Sequence, residues 1–242
     1  MTTTWRAFLA LAVVMLALAT PVASQATPAL LDRITGSKQV IVVTANSWDS
    51  TTGSVQVFAK KNRTWTTTQG SIKANLGYGG LVPGSERVQE SGTTPTGTYA
   101  ITWAFGIKSD PGTKLKYIKV DNNDAWTYNP RVPSTYNIFQ TVNRKWSSYG
   151  NDVERLTTYG MQYNYVAVLD FNLPKGKMVK GVNGVNRTDQ NANTSRGGGI
   201  FLHVSNGTNT AGCISIPQKS MKAILNWLDP KKNPVIVIQV TN

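Results

Sequence analysis

The sequence predicts a mainly β domain with one or two short helices, one of them near the C-terminus. Runs of β-branched and aromatic residues recur along the chain, and turn-forming clusters such as Ser109-Asp110-Pro111-Gly112 separate them. Only one segment carries a helical period. Charged residues make up 15% of the 242, below the roughly 25% of an average domain. With 7 Trp and 9 Tyr, the chain has the apolar bulk to build a core, so charge-driven disorder is excluded.

Residues 1–26 read as a secretory signal peptide. Trp5 and Arg6 precede the apolar run Ala7 to Ala19, then come Pro21 and the small residues Ala23, Ser24 and Ala26. The run is short for a membrane span. Its removal takes away one charge, Arg6, and lowers the formal net charge from +13 to +12. Residues 27–38 are expected to be an N-terminal lead tethering a single domain over 39–242.

Within that domain, Val40 to Ala45 is a continuous β-branched run. The turn-like Asp49 to Gly53 and the alternating Ser54 to Ala59 complete a hairpin with it. Further strands are expected at Tyr99 to Phe105, Leu115 to Val120, Tyr163 to Phe171, Gly199 to Val204, Cys213 to Ile216 and Val235 to Val240. Lys177 to Gly199, rich in Asn, Gly and Arg, reads as a long surface loop. Met221, Ile224, Leu225 and Leu228 fall at i, i+3, i+4 and i+7 and predict a helix over Gln218 to Leu228. Ser215 is its expected cap, Pro217 suits a first position, and Asp229-Pro230 stops it.

Cys213 and His203 are each the sole residue of their kind. An intrachain disulfide is therefore impossible and a His/Cys zinc site lacks ligands, so no metal or other cofactor is expected. The basic charge suits anionic cell-wall polymers. Nucleic acid is not an expected partner, because Lys114, Lys116, Tyr117 and Lys119 read as a strand with one solvated face.

The two singletons carry the chemistry. His203 ends the strand-like GGIFLHV, and Cys213 opens CISI after Thr210-Ala211-Gly212. Two strand ends joined by a short loop can place both side chains in one cleft. An imidazole beside a thiol favours the thiolate, so Cys213 is expected to alkylate faster than a free thiol. Flexible Gly212 lets its own amide and that of Cys213 point at a developing oxyanion. That is apparatus for acyl transfer.

Phe201-Leu202-His203 followed by Thr210-Ala211-Gly212-Cys213-Ile214-Ser215 resembles the signature of the L,D-transpeptidase (YkuD-type) family. Thr94-Pro95-Thr96-Gly97-Thr98-Tyr99 resembles that family's Thr-Pro-x-Gly-x-Tyr/Phe segment. The resemblance covers Gly84 to Val240, with the part from Gln39 onward extending the same sheet. It departs at Ala211, where the family often has His, at Ser215, where many members have Asn or Arg, and in a shorter His203-to-Cys213 loop. The resemblance implies a mixed-sheet β-sandwich and a mechanism. Cys213 attacks the amide before the terminal D-alanine of a peptidoglycan stem tetrapeptide. His203 moves the proton, held by the Val204 carbonyl, and Gly212 supplies an oxyanion amide. The thioester then passes to an amine of another stem. Thr210, Ala211, Ser215 and Arg196 are the expected substrate contacts, with Tyr78, Trp103 and Arg131 as further lining residues. Carbapenem β-lactams are the implied covalent inhibitors, and the setting is secreted or wall-associated in a bacterium. A hydrolase using water on the same Cys-His pair, or a non-catalytic wall-binding β protein, remains open on the residues alone. Papain-like and NlpC/P60 hydrolases place Cys before His, and sortases need an Arg after the Cys, so neither fits.

Overall fold

The computed structural model describes Met1 and residues 28–141, 152–181 and 184–241. The expected signal peptide, apart from Met1, lies outside them. The lead is more than a tether. Pro28–Asp32 form a short helix, α1, and Leu31 is buried against Val40, Val42, Phe58 and Val237. Lys38 then donates its N–H to the Lys232 carbonyl at 2.8 Å.

β1 (Gln39–Ala45) is buried along its whole length, as its unbroken apolar run requires. β2 (Thr52–Lys61) pairs antiparallel with it, Val40 opposite Phe58, which is the expected hairpin. β3 (Thr64–Asn75) was not expected, because its Thr-rich sequence lacks apolar alternation and is mostly exposed. Its register comes from the turn instead: Asn62 and Arg63 both take positive φ (49° and 69°), matching the twist of a tight hairpin.

The chain continues through β4 (Leu81–Pro83), β5 (Thr94–Gly106) and β6 (Lys116–Lys119). A small separate sheet follows, built from β7 (Ala125–Thr127), β8 (Ile138–Gln140) and β9 (Val153–Arg155). Then come β10 (Val166–Leu169), the two-residue ribbon of β11 (Val179–Lys180) and β12 (Asn186–Arg187), β13 (Phe201–Val204) and β14 (Ile214–Ile216). Helix α2 (Gln218–Trp227) and β15 (Val235–Val240) complete it.

The large sheet runs β10-β13-β14-β3-β2-β1-β15-β5-β4, with β6 beside β5. It mixes parallel pairs (β1 with β15, β13 with β14) and antiparallel ones, so the mainly β, mixed-sheet expectation holds. The layers are continuous. The first half of β5 pairs with β15 and the second half with β10, so the sheet closes on itself.

The main core combines Ile41, Val43, Val55, Leu202 and Ile214 with α2, whose Met221, Ile224, Leu225 and Leu228 are fully buried, as their spacing predicts. Each such side chain contributes about 1.5–3 kcal/mol of burial. Ser215 does not cap α2, because it lies inside β14; Pro217 occupies the cap position with no side-chain hydrogen bond. On the opposite face of β10 and β13 sits an aromatic core. Phe201 meets Trp126 edge-on at 4.9 Å, and Phe105 and Tyr163 close around it.

Candidate active site

Side chains alternate along a strand, and β13 and β14 are parallel with His203 opposite Ser215. Leu202, Val204, Ile214 and Ile216 therefore face the main core, whereas Phe201, His203 and Cys213 share the aromatic side. The sole thiol and the sole imidazole lie on one face of one strand pair.

The turn that carries the thiol is held by side chains. Thr210 Oγ1 donates to the Cys213 carbonyl at 2.7 Å and accepts the Gly212 N–H at 3.1 Å. Tyr78 N–H donates to the Thr210 carbonyl at 2.8 Å. Thr210 thus shapes the nucleophile turn rather than lining the cleft. The Gly212 amide is already engaged, while the Cys213 amide makes no hydrogen bond among the described residues. Gly212 has φ 129°, and a Cβ there would sit 2.7 Å from the Thr93 carbonyl oxygen. Gly212→Ala is expected to cost about 1–3 kcal/mol and to slow any reaction at Cys213, which denaturant melts and a mass-detected acylation assay read together.

Cys213 is half-buried and its Sγ hydrogen donates to the Gly199 carbonyl at 3.2 Å; the Phe201 N–H donates to Sγ at 3.4 Å. Asn137 braces this acceptor, because its Oδ1 takes both the Gly199 N–H and Trp126 Nε1–H at 2.8 Å. His203 is buried at 3% exposure against the Tyr163 ring, 5.6 Å away. Its Nδ1 hydrogen bonds to the Val204 carbonyl at 2.9 Å, the partner the resemblance implies. A carbonyl can only accept, so the neutral ring carries its proton on Nδ1 and its lone pair on Nε2.

No hydrogen bond joins Sγ to the imidazole among the described residues, and the electrostatics correct the expected thiolate. Burial, reinforced by the charge of Glu154, pushes the Cys213 thiol up to about 12. The Phe201 amide and the Arg87 guanidinium oppose this and lose. Burial also drives His203 down to about 4, over the backbone of Val204 and Gln162, which favours the doubly protonated ring. Both groups are neutral in the resting site. Iodoacetamide should therefore alkylate Cys213 at neutral pH about tenfold or more slowly than a free thiol, and parity would contradict this burial.

The thiol opens on a cleft of about 230 Å³, lined among others by Tyr78, Arg87, Tyr128, Glu154, Gly199 and Ala211. Of the expected contacts, Tyr78 and Ala211 line it. Ser215 is buried in β14 with its hydroxyl unpartnered. Arg196 lies over the Phe171 ring at 5.4 Å and donates to the Gly84 carbonyl. Trp103 stacks on Trp126 at 5.9 Å and lines a different cavity, and Arg131 is exposed in a turn.

Arg87 takes the place expected of Arg196. It is 5% exposed and ties three segments together, donating to the carbonyls of Thr93 (2.8 Å), Arg196 (2.8 Å) and Ala211 (3.4 Å). Its burial is offset by those bonds and by the ring of the core residue Phe171, 5.8 Å away. Arg87 and Glu154 had no periodicity or motif to mark them; Arg87 stands seven residues before Thr94, where proximity to the Thr-Pro segment was the only clue.

A family model matches residues 38–237: the L,D-transpeptidase catalytic domain. No curated protein and no solved structure gives a significant match.

Proposed function

The chain belongs to the L,D-transpeptidase catalytic-domain family, and from that premise we propose that it is an exported, cysteine-dependent acyltransferase acting on peptidoglycan stem tetrapeptides. The observation that carries the reading is the placement of Cys213 and His203 on one face of β13–β14, with the thiol open to a cleft.

The reaction begins from neutral partners. Substrate entering the cleft displaces the Sγ–H contact with Gly199, and His203 Nε2 takes the thiol proton as sulfur attacks the amide carbonyl. Moving the proton only as the C–S bond forms avoids a free thiolate, which burial disfavours. The Val204 carbonyl stabilises the transient imidazolium through Nδ1–H. The Cys213 amide meets the developing oxyanion, joined by Gly212 once its bond to Thr210 yields. His203 returns its proton to the leaving D-alanine nitrogen and a thioester remains. An amine of a second stem then takes the acyl group, forming C–N as C–S breaks. Arg87, the cation of the cleft, attracts the donor's terminal carboxylate. The mature charge of +12 holds the enzyme near polyanionic wall polymers.

Mass spectrometry of the protein incubated with a disaccharide-tetrapeptide tests this. Release of D-alanine together with a thioester on Cys213 is the expected result. An unmodified protein and intact tetrapeptide would overturn it, and a product trimmed but never transferred to added amine would reassign the chain to hydrolysis.

A further inference from the structure

The cleft holds a second ionisable group that the acylation step leaves unused. Glu154 lies on β9, opposite Trp126 in the small sheet, and lines the same cleft as Cys213. Tyr163 donates its hydroxyl to Glu154 Oε2 at 2.8 Å, and the Tyr128 hydroxyl is a second hydrogen-bond partner. Two phenols aimed at one carboxyl hold it in a single orientation.

What is missing among the described residues is a cation. The chain carries 25 Lys and Arg against 12 Asp and Glu, yet among the described residues the only ion pair is Lys114 with Asp229, neither of which lines this cleft. Arg87 lines the cleft, but three of its five N–H groups go to the Thr93, Arg196 and Ala211 carbonyls and it is not among the groups acting on Glu154. A partly buried carboxylate such as this one still loses hydration that only a partner restores. One beside a nucleophile, in a protein rich in cations, is consistent with a partner that arrives as substrate.

We propose that Glu154 is the docking group and general base for the acceptor's primary ammonium. This rests on the acyl-transfer reading above and assigns its second half. The ammonium pairs with the Glu154 carboxylate in the space D-alanine vacates and gives it one proton. The resulting amine attacks the thioester carbonyl, so C–N forms and C–S breaks. The nitrogen's second proton passes through His203 to the departing sulfur, restoring the thiol. Glu154 then releases its proton to solvent. Burial, only partly offset by the two phenols, places this carboxyl at about 7, where it exchanges protons readily with an amine near neutrality. Among the described residues the groups facing it are Tyr128, Tyr159, Tyr163 and Cys213, none of them a cation. Water, which needs no anionic dock, gains nothing from the carboxylate, so Glu154 biases the acyl-enzyme toward transfer.

The test is the partition of the acyl-enzyme between transfer and hydrolysis, a ratio insensitive to how much protein is folded or how fast it acylates. The donor is a disaccharide-tetrapeptide. The acceptor probes are Nα-acetyl-lysinamide, which carries one ammonium at neutral pH, and hydroxylamine, which is neutral there. In Glu154→Gln the transfer-to-hydrolysis ratio with the ammonium probe should fall about tenfold or more, while the hydroxylamine ratio moves less than about twofold. Glu154→Asp, which keeps the charge, should retain more of the ratio than Gln. An unchanged ratio overturns the proposal, and so does an equal fall with both probes, which would make Glu154 a structural wall of the cleft. If the parent protein never releases D-alanine, the acyl-transfer reading fails first and this inference falls with it.

Discussion

Cys213→Ala yields no covalent adduct with a carbapenem or with a disaccharide-tetrapeptide, while the parent gains the mass of one acyl group. The protein holds no second thiol, and the buried neighbours of Cys213 offer no substitute: Ser215 is in the strand core at 1% exposure and Thr210 is locked to the Cys213 carbonyl. The loss is therefore complete rather than partial. The fold survives it. Truncation deletes two sulfur hydrogen bonds, to Gly199 and from Phe201, each worth about 1 kcal/mol or less, and leaves the Thr210 contacts intact. Intact-mass spectrometry with a denaturant melt on the same sample checks both halves. An adduct on Cys213→Ala, or a variant that cannot fold, would remove the assignment of this sulfur.

His203→Gln should lower acylation about 10²- to 10⁴-fold, the usual contribution of a positioned base. It should also change how stability depends on pH. A strand-end imidazole could be expected to titrate in solvent, but this one is enclosed by Tyr163 and two backbone carbonyls. Its folded pKa lies near 4 against 6.5 for the free side chain. Between these values the unfolded chain binds more protons, so stability contributed by the neutral ring is present above pH 6.5 and is lost as pH falls toward 4. The swing is about 3 kcal/mol. Glu154 works in the opposite sense. Its folded pKa near 7 exceeds the ordinary 4.5, so stability is lost as pH rises through that interval. In the parent the two largely cancel. In His203→Gln the Glu154 slope stands exposed, and the variant's stability relative to the parent rises by about 3 kcal/mol as pH falls from 6.5 to 4. Urea melts of both proteins across that range check it; parallel pH profiles would mean that His203 is not buried neutral.

Much of the fold could be read locally. The period of β1, the spacing of Met221, Ile224, Leu225 and Leu228, and the turn clusters are each set by neighbours along the chain. β3 escaped because its stability lies in cross-strand pairing with β2, not in its own pattern. The three short strands of the small sheet escaped for the same reason, since three residues carry too little period to stand above noise. The lead over 27–38 looks like a tether in sequence because nothing local to Leu31 signals that Val40, Phe58 and Val237 will meet it.

The sequence by itself determined which atoms could do the chemistry. Scarcity did this: one sulfur nucleophile, one imidazole, and a Gly before the Cys, in an order that papain-like enzymes reverse and with no Arg after the Cys to make a sortase. Tertiary structure alone decided what surrounds them and in what charge state. Arg87, Glu154 and Cys213 are separated by dozens of residues, so their convergence depends on the segment between β4 and β5, on β9 and on the turn before β14 closing around one cleft. Protonation followed from that enclosure. Spacing along the chain places an imidazole near a thiol, but only the removal of water decides whether the pair rests charged or neutral.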